Sequence, residues 1–284
     1  MTPDQHDRPT AVIAGCGDLG GQVGLRLAAS GHHVVGLRRR ADRVPDPIEG
    51  RAIDITTQSP RLPQDTAIVV VVLTADARTA ESYQDTFVAG LENLLGAIAE
   101  QVPATPRTLL VSSTSVYGVS DGSRVDERTP ASPGTSTGRV LRRAEELLHA
   151  RLPGATVLRL GGLYGPGRGT LLSTVSGGTA TLTRTPVYTN RIHRDDAAAA
   201  IAHLTTRGPA PEPVYLGVDD EPCARAELLR FLADELGVAH PPVVEERSGR
   251  GQGKRCSNDR LRATGFTFAY PTYREGYRAL ISAR

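Results

Sequence analysis

Residues 10–40 read TAVIAGCGDLGGQVGLRLAASGHHVVGLRRR, and the fold turns on how this stretch is read. Ala11 to Ala14 form a short apolar run. Gly15-Cys16-Gly17-Asp18-Leu19-Gly20 fits G-x-G-x-x-G. Leu19, Val23, Leu25, Leu27 and Ala28 then supply the apolar positions of a helix, which Ser30-Gly31 stops. A second apolar run, Val34 to Leu37, ends in Arg38, Arg39 and Arg40. Strand, tight glycine turn, helix, strand is the order of a βαβ unit.

The glycine spacing has a physical reason. The first glycine allows a sharp turn off the strand, the second lets a pyrophosphate approach the backbone, and the third lets helix and strand pack closely. The free N–H groups and positive dipole end of the helix then face the phosphates. The strand and helix on either side are the context the motif requires. Dinucleotide binding is expected; the alternative is a glycine turn with a structural role only. The end of the second strand reports which dinucleotide. An acidic residue there suits the ribose 2′-hydroxyl of NAD, and an arginine suits the 2′-phosphate of NADP. Arg38 and Arg39 stand there, with no carboxylate before Asp42. NADP is expected in preference to NAD, against the reading of a solvated basic loop.

With 284 residues, the chain can bury one large core or one and a half domains. Its 39% hydrophobic and 23% charged residues are those of a soluble globular protein. A net charge of +2 gives no reason to expect nucleic acid or an anionic membrane as partner. Cys16, Cys223 and Cys256 lie far apart, which suits neither a disulfide framework nor a metal site and fits a reducing cytosol. Residues 1–9 are polar, a frayed tail rather than a signal peptide. The longest apolar run, Ala67 to Leu73, is too short to span a bilayer.

Further along, Arg51 to Asp54 reads as a third strand, with Asp54 and Ile55 where an adenine ring would rest; Asp54 as a strand-end cap is the competing reading. Ala67 to Leu73, mostly β-branched, suits a parallel strand buried on both faces, with Thr74 and Ala75 at its carboxyl end toward the cofactor. Phe87, Leu91, Leu94, Leu95 and Ile98 mark a helix over 81–100. Thr108 to Val111 is a fifth strand running into Ser112-Ser113-Thr114-Ser115-Val116-Tyr117-Gly118, at the end where open α/β sheets bind ligands. Residues 119–134 read as loop, 138–150 as helix, 157–160 as strand and 169–190 as irregular. Ile192-His193-Arg194-Asp195-Asp196 opens an alanine-rich helix, with its acids suited to the helix N-terminus. Val214 to Val218 reads as strand, Arg225 to Leu236 as helix, 241–258 as basic loop and 273–281 as a last helix. Alternating strands and helices imply an α/β, doubly wound parallel sheet.

These residues resemble the extended short-chain dehydrogenases/reductases, in the NAD-dependent epimerase/dehydratase group. The anchors are Gly15–Gly20, Asp54, Ser112-Ser113 with Val116-Tyr117-Gly118, Leu158-Arg159 with Tyr164-Gly165-Pro166, and Ile192-His193 with Asp195-Asp196. Lys254 to Asn258 and Tyr270 to Gly276 look like an atypical bacterial branch of that group. The resemblance covers nearly the whole chain. It implies a Rossmann fold in residues 1–165, with 193–220 returning to it, and a small substrate-binding part in 166–192 and 221–284. It also suggests a homodimer. The expected cofactor contacts are Gly15, Gly17, Asp18, Leu19, Gly20, Arg38, Arg39, Asp54, Ile55, Thr74, Ala75 and Ser112.

In one place the chain departs from the family. A serine after the fifth strand is followed there by Tyr-x-x-x-Lys on the next helix, the tyrosine as acid/base and the lysine lowering its pKa. Here Ser113 is present, but Thr135 and Arg139 stand where the pair is expected. Arg139 keeps the positive charge. Ser113, Tyr117 and Arg139 are therefore the catalytic candidates, with Tyr117 the leading proton donor or else a packing residue. Tyr164 and His193, each with a structural reading open, are the other candidates for the missing acid and for contact with a small polar substrate; Arg168, Lys254 and Arg255 could converge on an anionic one, against surface solvation. No metal is expected. An oxidoreductase or epimerase/dehydratase is one reading; a dinucleotide-binding sensor or scaffold without turnover is the other.

Overall fold

The computed structural model describes residues 8–206, 211–244 and 251–283. In chain order, β1 (Thr10–Ala14), α1 (Asp18–Ala29), β2 (His33–Arg38), β3 (Glu49–Ala52) and β4 (Thr66–Val71) come first. Then follow α2 (Ala80–Tyr83), a π-helical turn (Gln84–Ala89), α3 (Gly90–Gln101), β5 (Arg107–Ser113), β6 (Asp121–Val125) and α4 (Ser136–Arg151). The middle holds β7 (Thr156–Leu160), β8 (Gly162–Tyr164), α5 (Thr170–Ser176), β9 (Tyr188–Thr189), β10 (Arg191–His193) and α6 (Arg194–Thr206). The chain closes with β11 (Val214–Gly217), β12 (Cys223–Ala224), α7 (Arg225–Leu236), β13 (Gly253–Cys256), α8 (Asp259–Ala263) and α9 (Tyr273–Ser282).

Seven strands form one sheet in the order β11-β7-β5-β4-β1-β2-β3. The pairs β1–β2, β1–β4, β2–β3 and β4–β5 all run parallel. Chain order reverses between β1 and β4, which makes their carboxyl ends the switch point of a doubly wound sheet. Every residue of β1 is buried, as are Ile68 to Val71 of β4, which is why both read as continuous apolar runs. Leu19, Val23 and Leu27, spaced by one helical turn, form the buried stripe of α1.

The chain divides into two compact units. The first comprises Met1–Tyr117, Ala131–Arg159 and Ala198–Tyr215; the second comprises Gly118–Pro130, Leu160–Ala197 and Leu216–Arg284. The second unit holds the short pairs β8–β10 and β6–β13, both parallel, and the antiparallel pair β9–β12. Its core is built from Tyr164, Leu172, Val175, Leu228, Leu232, Tyr273 and Tyr277, among others. Thr272 and Glu275 cap α9 reciprocally.

Several elements differ from the sequence expectation. The helix expected over 81–100 is broken by the π-helical turn at Gln84–Ala89. The fifth strand continues through Ser112 and Ser113 instead of turning there. Residues 119–134 and 241–258 were expected as loops, yet β6 and β13 pair across more than a hundred residues. Their polar sequences, DGSRV and GKRC, carry no local strand pattern. The stretch 169–190 contains α5 and β9. Asp195 and Asp196 stand in the first turn of α6 as expected, and the buried Asp196 carboxylate also accepts the backbone N–H groups of Ala269 and Tyr270 at 2.8 and 2.9 Å. Most of the tail 1–9 and residues 245–250 of the basic stretch lie outside the described residues. Among the described residues no helix is long and apolar enough to cross a membrane.

Candidate functional site: a glycine-arginine cleft at the switch point

The first unit carries a cleft of about 370 Å³ over the ends of β1, β2 and β4. Its floor begins at Gly15, whose φ of 90° a side chain rarely adopts; a Cβ there would run into the carbonyl oxygen of Val72. A Cβ on Gly20 would run into the carbonyl oxygen of Gly15, so glycine at 20 is what lets α1 lie on the turn. Gly17 differs from both. A Cβ there would meet nothing within 4 Å, so this glycine leaves open space at the helix N-terminus. No side chain caps α1, and Gly17 occupies the cap position. This is a cradle a phosphate group fits: open backbone at Gly17 and the positive end of a 12-residue helix.

Opposite the glycines, the cleft is lined by Arg38, Arg39 and Arg40, by Asp54, Ile55 and Thr56, and by Thr74 and Asp76. Arg38 donates from Nη1 to the carbonyl oxygen of Arg43 at 3.1 Å. Arg39 is held by both carboxylate oxygens of Asp76, at 2.7 and 2.6 Å. This pairing raises the Arg39 pKa and lowers that of Asp76. Asp54 accepts from the backbone N–H and hydroxyl of Thr56 at 3.0 and 2.7 Å, a local turn that fixes the strand end. Cys16, inside the motif, is buried, and burial pushes its thiol up to about 11 against the pull of Arg38. It stays protonated near neutrality and is no nucleophile.

Of the expected cofactor contacts, Gly15, Gly17, Arg38, Arg39, Asp54, Ile55 and Thr74 line this cleft. Leu19 and Gly20 are buried in the packing of α1, Asp18 is exposed in its first turn, and Ala75 is outside the lining. Asp76, Ser82, Asp85 and Thr86 line the cleft and were missed. Asp85 and Thr86 belong to the π-helical turn, a feature with no signature in the sequence pattern, although such turns concentrate at functional sites.

The mouth of β5 is built differently. Ser112 donates to Glu145 Oε1 at 2.7 Å; Arg159 donates from Nε and Nη2 to Glu145 at 3.0 and 2.6 Å, and from Nη1 to the Tyr117 hydroxyl at 2.6 Å. Arg159 also lies over the Tyr117 ring, 4.8 Å from its centre. All four residues are buried. Burial alone would lower the Arg159 pKa, but Glu145 and Tyr117 together more than offset it. Two expectations change here. Ser112, expected at the cofactor, is committed to Glu145. Tyr117, expected as leading proton donor, is 2% exposed with its hydroxyl held by a guanidinium. Ser113 is half-buried and accepts from the Ser115 N–H at 3.1 Å.

α4 reads STGRVLRRAEELLHAR, with neither tyrosine nor lysine. Thr135 lies just outside it as the N-cap, accepting from the Gly138 N–H at 3.1 Å, while Arg139 is exposed one turn in. The two are therefore a cap and a surface residue, and not a pair on one buried helical face.

A sequence model of the NAD-dependent epimerase/dehydratase family matches residues 11–217, the span that builds this cleft. The chain belongs to the NAD-dependent epimerase/dehydratase family. It is 33% identical to protein YeeZ of Escherichia coli K12 over 91% of this chain and 95% of that one. It is 28% identical to the dTDP-6-deoxy-L-talose 4-dehydrogenase (NAD(P)(+)) of Kitasatospora kifunensis over 98% and 97%. A solved structure from Methylobacillus flagellatus, named for the same family, is 36% identical and covers 97% of this chain and 98% of its own, with a TM-score of 0.79.

The second unit of this epimerase/dehydratase-family chain holds the expected substrate residues. Tyr164 and His193 stand opposite each other on β8 and β10. The Tyr164 ring stacks on Tyr277 at 4.5 Å, and a Cβ on Gly276 of α9 would run into its hydroxyl. Burial raises its pKa well above the usual tyrosine range. That is the setting of a packing residue. His193 is buried, edge-on to Tyr164 and 4.1 Å from Tyr270, and its Nδ1 accepts the Asp195 N–H at 3.2 Å. With Nδ1 accepting, the neutral ring carries its proton on Nε2. Arg168 is half-buried after the Gly165 turn. Lys254 and Arg255 lie on β13. Arg255 donates to the Gly122 carbonyl at 2.8 Å and covers the Tyr188 ring, so the strand holds it in place. Lys254, the single lysine of the chain, is half-buried with its pKa lowered by burial. Among the described residues there is no group of three or more histidines, cysteines and acids placed to hold a metal.

Proposed function

We propose that this chain is an NADP-preferring oxidoreductase or epimerase/dehydratase acting on a small polar substrate, without the family's usual Tyr-x-x-x-Lys pair. The observation that carries the reading is the cleft itself: open backbone at Gly17, uncapped α1 and two arginines at the end of β2. The Kitasatospora relative, whose name gives NAD(P)(+), supports a cleft that accepts either nucleotide. Gly17 and the first turn of α1 would hold the pyrophosphate, Asp54 and Ile55 the adenosine end, and Arg38 and Arg39 a 2′-phosphate. When bound, the nicotinamide supplies hydride exchange. Ser113 would hydrogen-bond the substrate carbonyl, and Arg139 would bind ribose or phosphate. His193 joins Tyr117 as a group proposed to carry the proton. Its Nδ1 accepts a backbone N–H, which leaves Nε2 as the ring nitrogen with a proton to donate. Arg168, Lys254 and Arg255 would favour an anionic substrate.

The absence of tyrosine and lysine from α4, together with the buried Tyr117, favours a second reading: a dinucleotide-binding sensor or scaffold. One experiment separates them. NADPH and NADH are titrated by calorimetry, and the protein is then assayed on a panel of carbonyl and sugar-nucleotide substrates. Turnover that falls about 10²-fold or more in His193→Gln, with nucleotide affinity retained, supports the enzyme. Tight binding without any turnover supports the sensor, and no binding of either nucleotide contradicts both.

A further inference from the structure

Arg39 is one of the two cations expected at a 2′-phosphate, yet both arms of its guanidinium are taken by Asp76, at 2.7 and 2.6 Å. A carboxylate gripped by both arms of an arginine has the geometry a phosphate would use on the same arginine. Arg38, the other cation, already donates to a backbone carbonyl. Asp76 lies in the segment after β4, and both it and Arg39 line the cleft with Gly15, Gly17 and Asp54. Asp54 is close enough to add to the negative field on Arg39. Resting on the dinucleotide reading above, we propose that Asp76 weakens the cleft's preference for NADP(H): it occupies Arg39 as a built-in substitute for the ribose 2′-phosphate.

The physical consequence is graded. The Arg39 and Asp76 side chains are 59% and 69% exposed, so their pair is weak and a doubly charged phosphate can displace the carboxylate. Displacement leaves the Asp76 charge beside the incoming phosphate, which costs affinity for NADP(H). A dinucleotide with a free 2′-hydroxyl meets neither cost, because it does not compete for Arg39. The cleft therefore binds NADP(H) less tightly than two arginines would suggest, and binds NAD(H) with the Arg39–Asp76 pair intact.

Asp76→Asn removes the charge and keeps the shape. Calorimetric titration of NADPH and NADH should show NADPH binding tightened by about fivefold, the upper end for an exposed pair, with NADH within twofold of its original affinity. In an Arg39→Ala background the competition for the guanidinium is gone and only the repulsion remains, so the same substitution should tighten NADPH by less than it does with Arg39 present. Adenosine 2′,5′-bisphosphate should follow NADPH, and 5′-AMP should follow NADH. The proposal is overturned if Asp76→Asn still binds NADH but leaves NADPH affinity unchanged, or if both nucleotides shift equally. Those outcomes leave the dinucleotide reading standing. If the native protein binds neither nucleotide, that reading falls and the Asp76 proposal falls with it. Asp76→Ala, tested alongside and checked by its melting temperature, guards against a local effect of the asparagine amide.

Discussion

Within the first unit, β1 and β5 both end where a parallel sheet presents ligands, but their polar groups are satisfied in opposite ways. At β1 the chain leaves backbone uncovered: Gly17 has empty space where a side chain would be, and no side chain caps α1. At β5 it brings four polar side chains together and buries them against one another, with Glu145 paired to Arg159 and Ser112 and Tyr117 bonded to that pair. Polar residues at a strand end are therefore not enough to mark a site. What matters is whether their hydrogen-bonding capacity is left open to a ligand or already used inside the fold.

The largest expected effect lies on the closed side. Glu145→Ala leaves the Arg159 guanidinium buried without its counter-charge, and breaking such a pair costs about 3–5 kcal/mol. Urea unfolding should show that loss. A loss under about 1 kcal/mol would mean the network does not hold the mouth of β5. Next is Gly15→Ala. The φ of 90° alone costs a side chain about 1–3 kcal/mol, before the collision with Val72. Gly17→Ala, by contrast, should cost less than Gly15→Ala, about 1 kcal/mol at most, because its Cβ meets nothing and only the N-cap preference is lost. Equal destabilisation by the two substitutions would erase the distinction between a glycine kept for folding and one kept for a ligand.

The two mouths also differ in how legible they were. β1, α1 and β2 declare themselves locally through apolar periodicity and glycine spacing, and α7 occupies the expected residues Arg225 to Leu236. The closed network was not legible, because Glu145 belongs to α4 and Arg159 to β7, and only the fold brings them together. Asp76 was missed for a similar reason: nothing in the segment after β4 announces that it meets an arginine from β2. β6 and β13 were read as loops because their pairing is remote in sequence and their residues are polar.

Smaller effects sharpen the contrast further. Tyr117→Phe removes the hydroxyl that accepts from Arg159, and the unfolding free energy should fall by about 1–2 kcal/mol with nucleotide affinity unchanged. A fall in turnover of 10²-fold or more, without that loss of stability, would return Tyr117 to the chemistry.

In the second unit, just after β11, Asp219 is an intermediate case: buried, with Oδ1 accepting the Glu221 N–H and Oδ2 without a partner among the described residues. Burial pushes its pKa up to about 8, far above an unfolded aspartate. Between about pH 4 and 8 the folded state thus holds a proton that the unfolded state has released. Asp219 contributes a stability that falls as pH rises across that window, by at most about 1.4 kcal/mol per pH unit. Asp219→Asn should remove this slope, so its stability relative to the native protein should improve from pH 5 to pH 8. Parallel pH profiles of the two proteins would show that Asp219 is ionised throughout.

The central claim is that the open mouth at β1 holds a dinucleotide. Calorimetric titration of NADPH and NADH into the native protein and into Gly17→Val tests it most directly. The expected result is measurable binding to the native protein, NADPH the tighter of the two, and a loss of at least about 100-fold for both in Gly17→Val, with the fold retained by circular dichroism. Unchanged affinity in Gly17→Val would place the phosphates elsewhere and contradict the account.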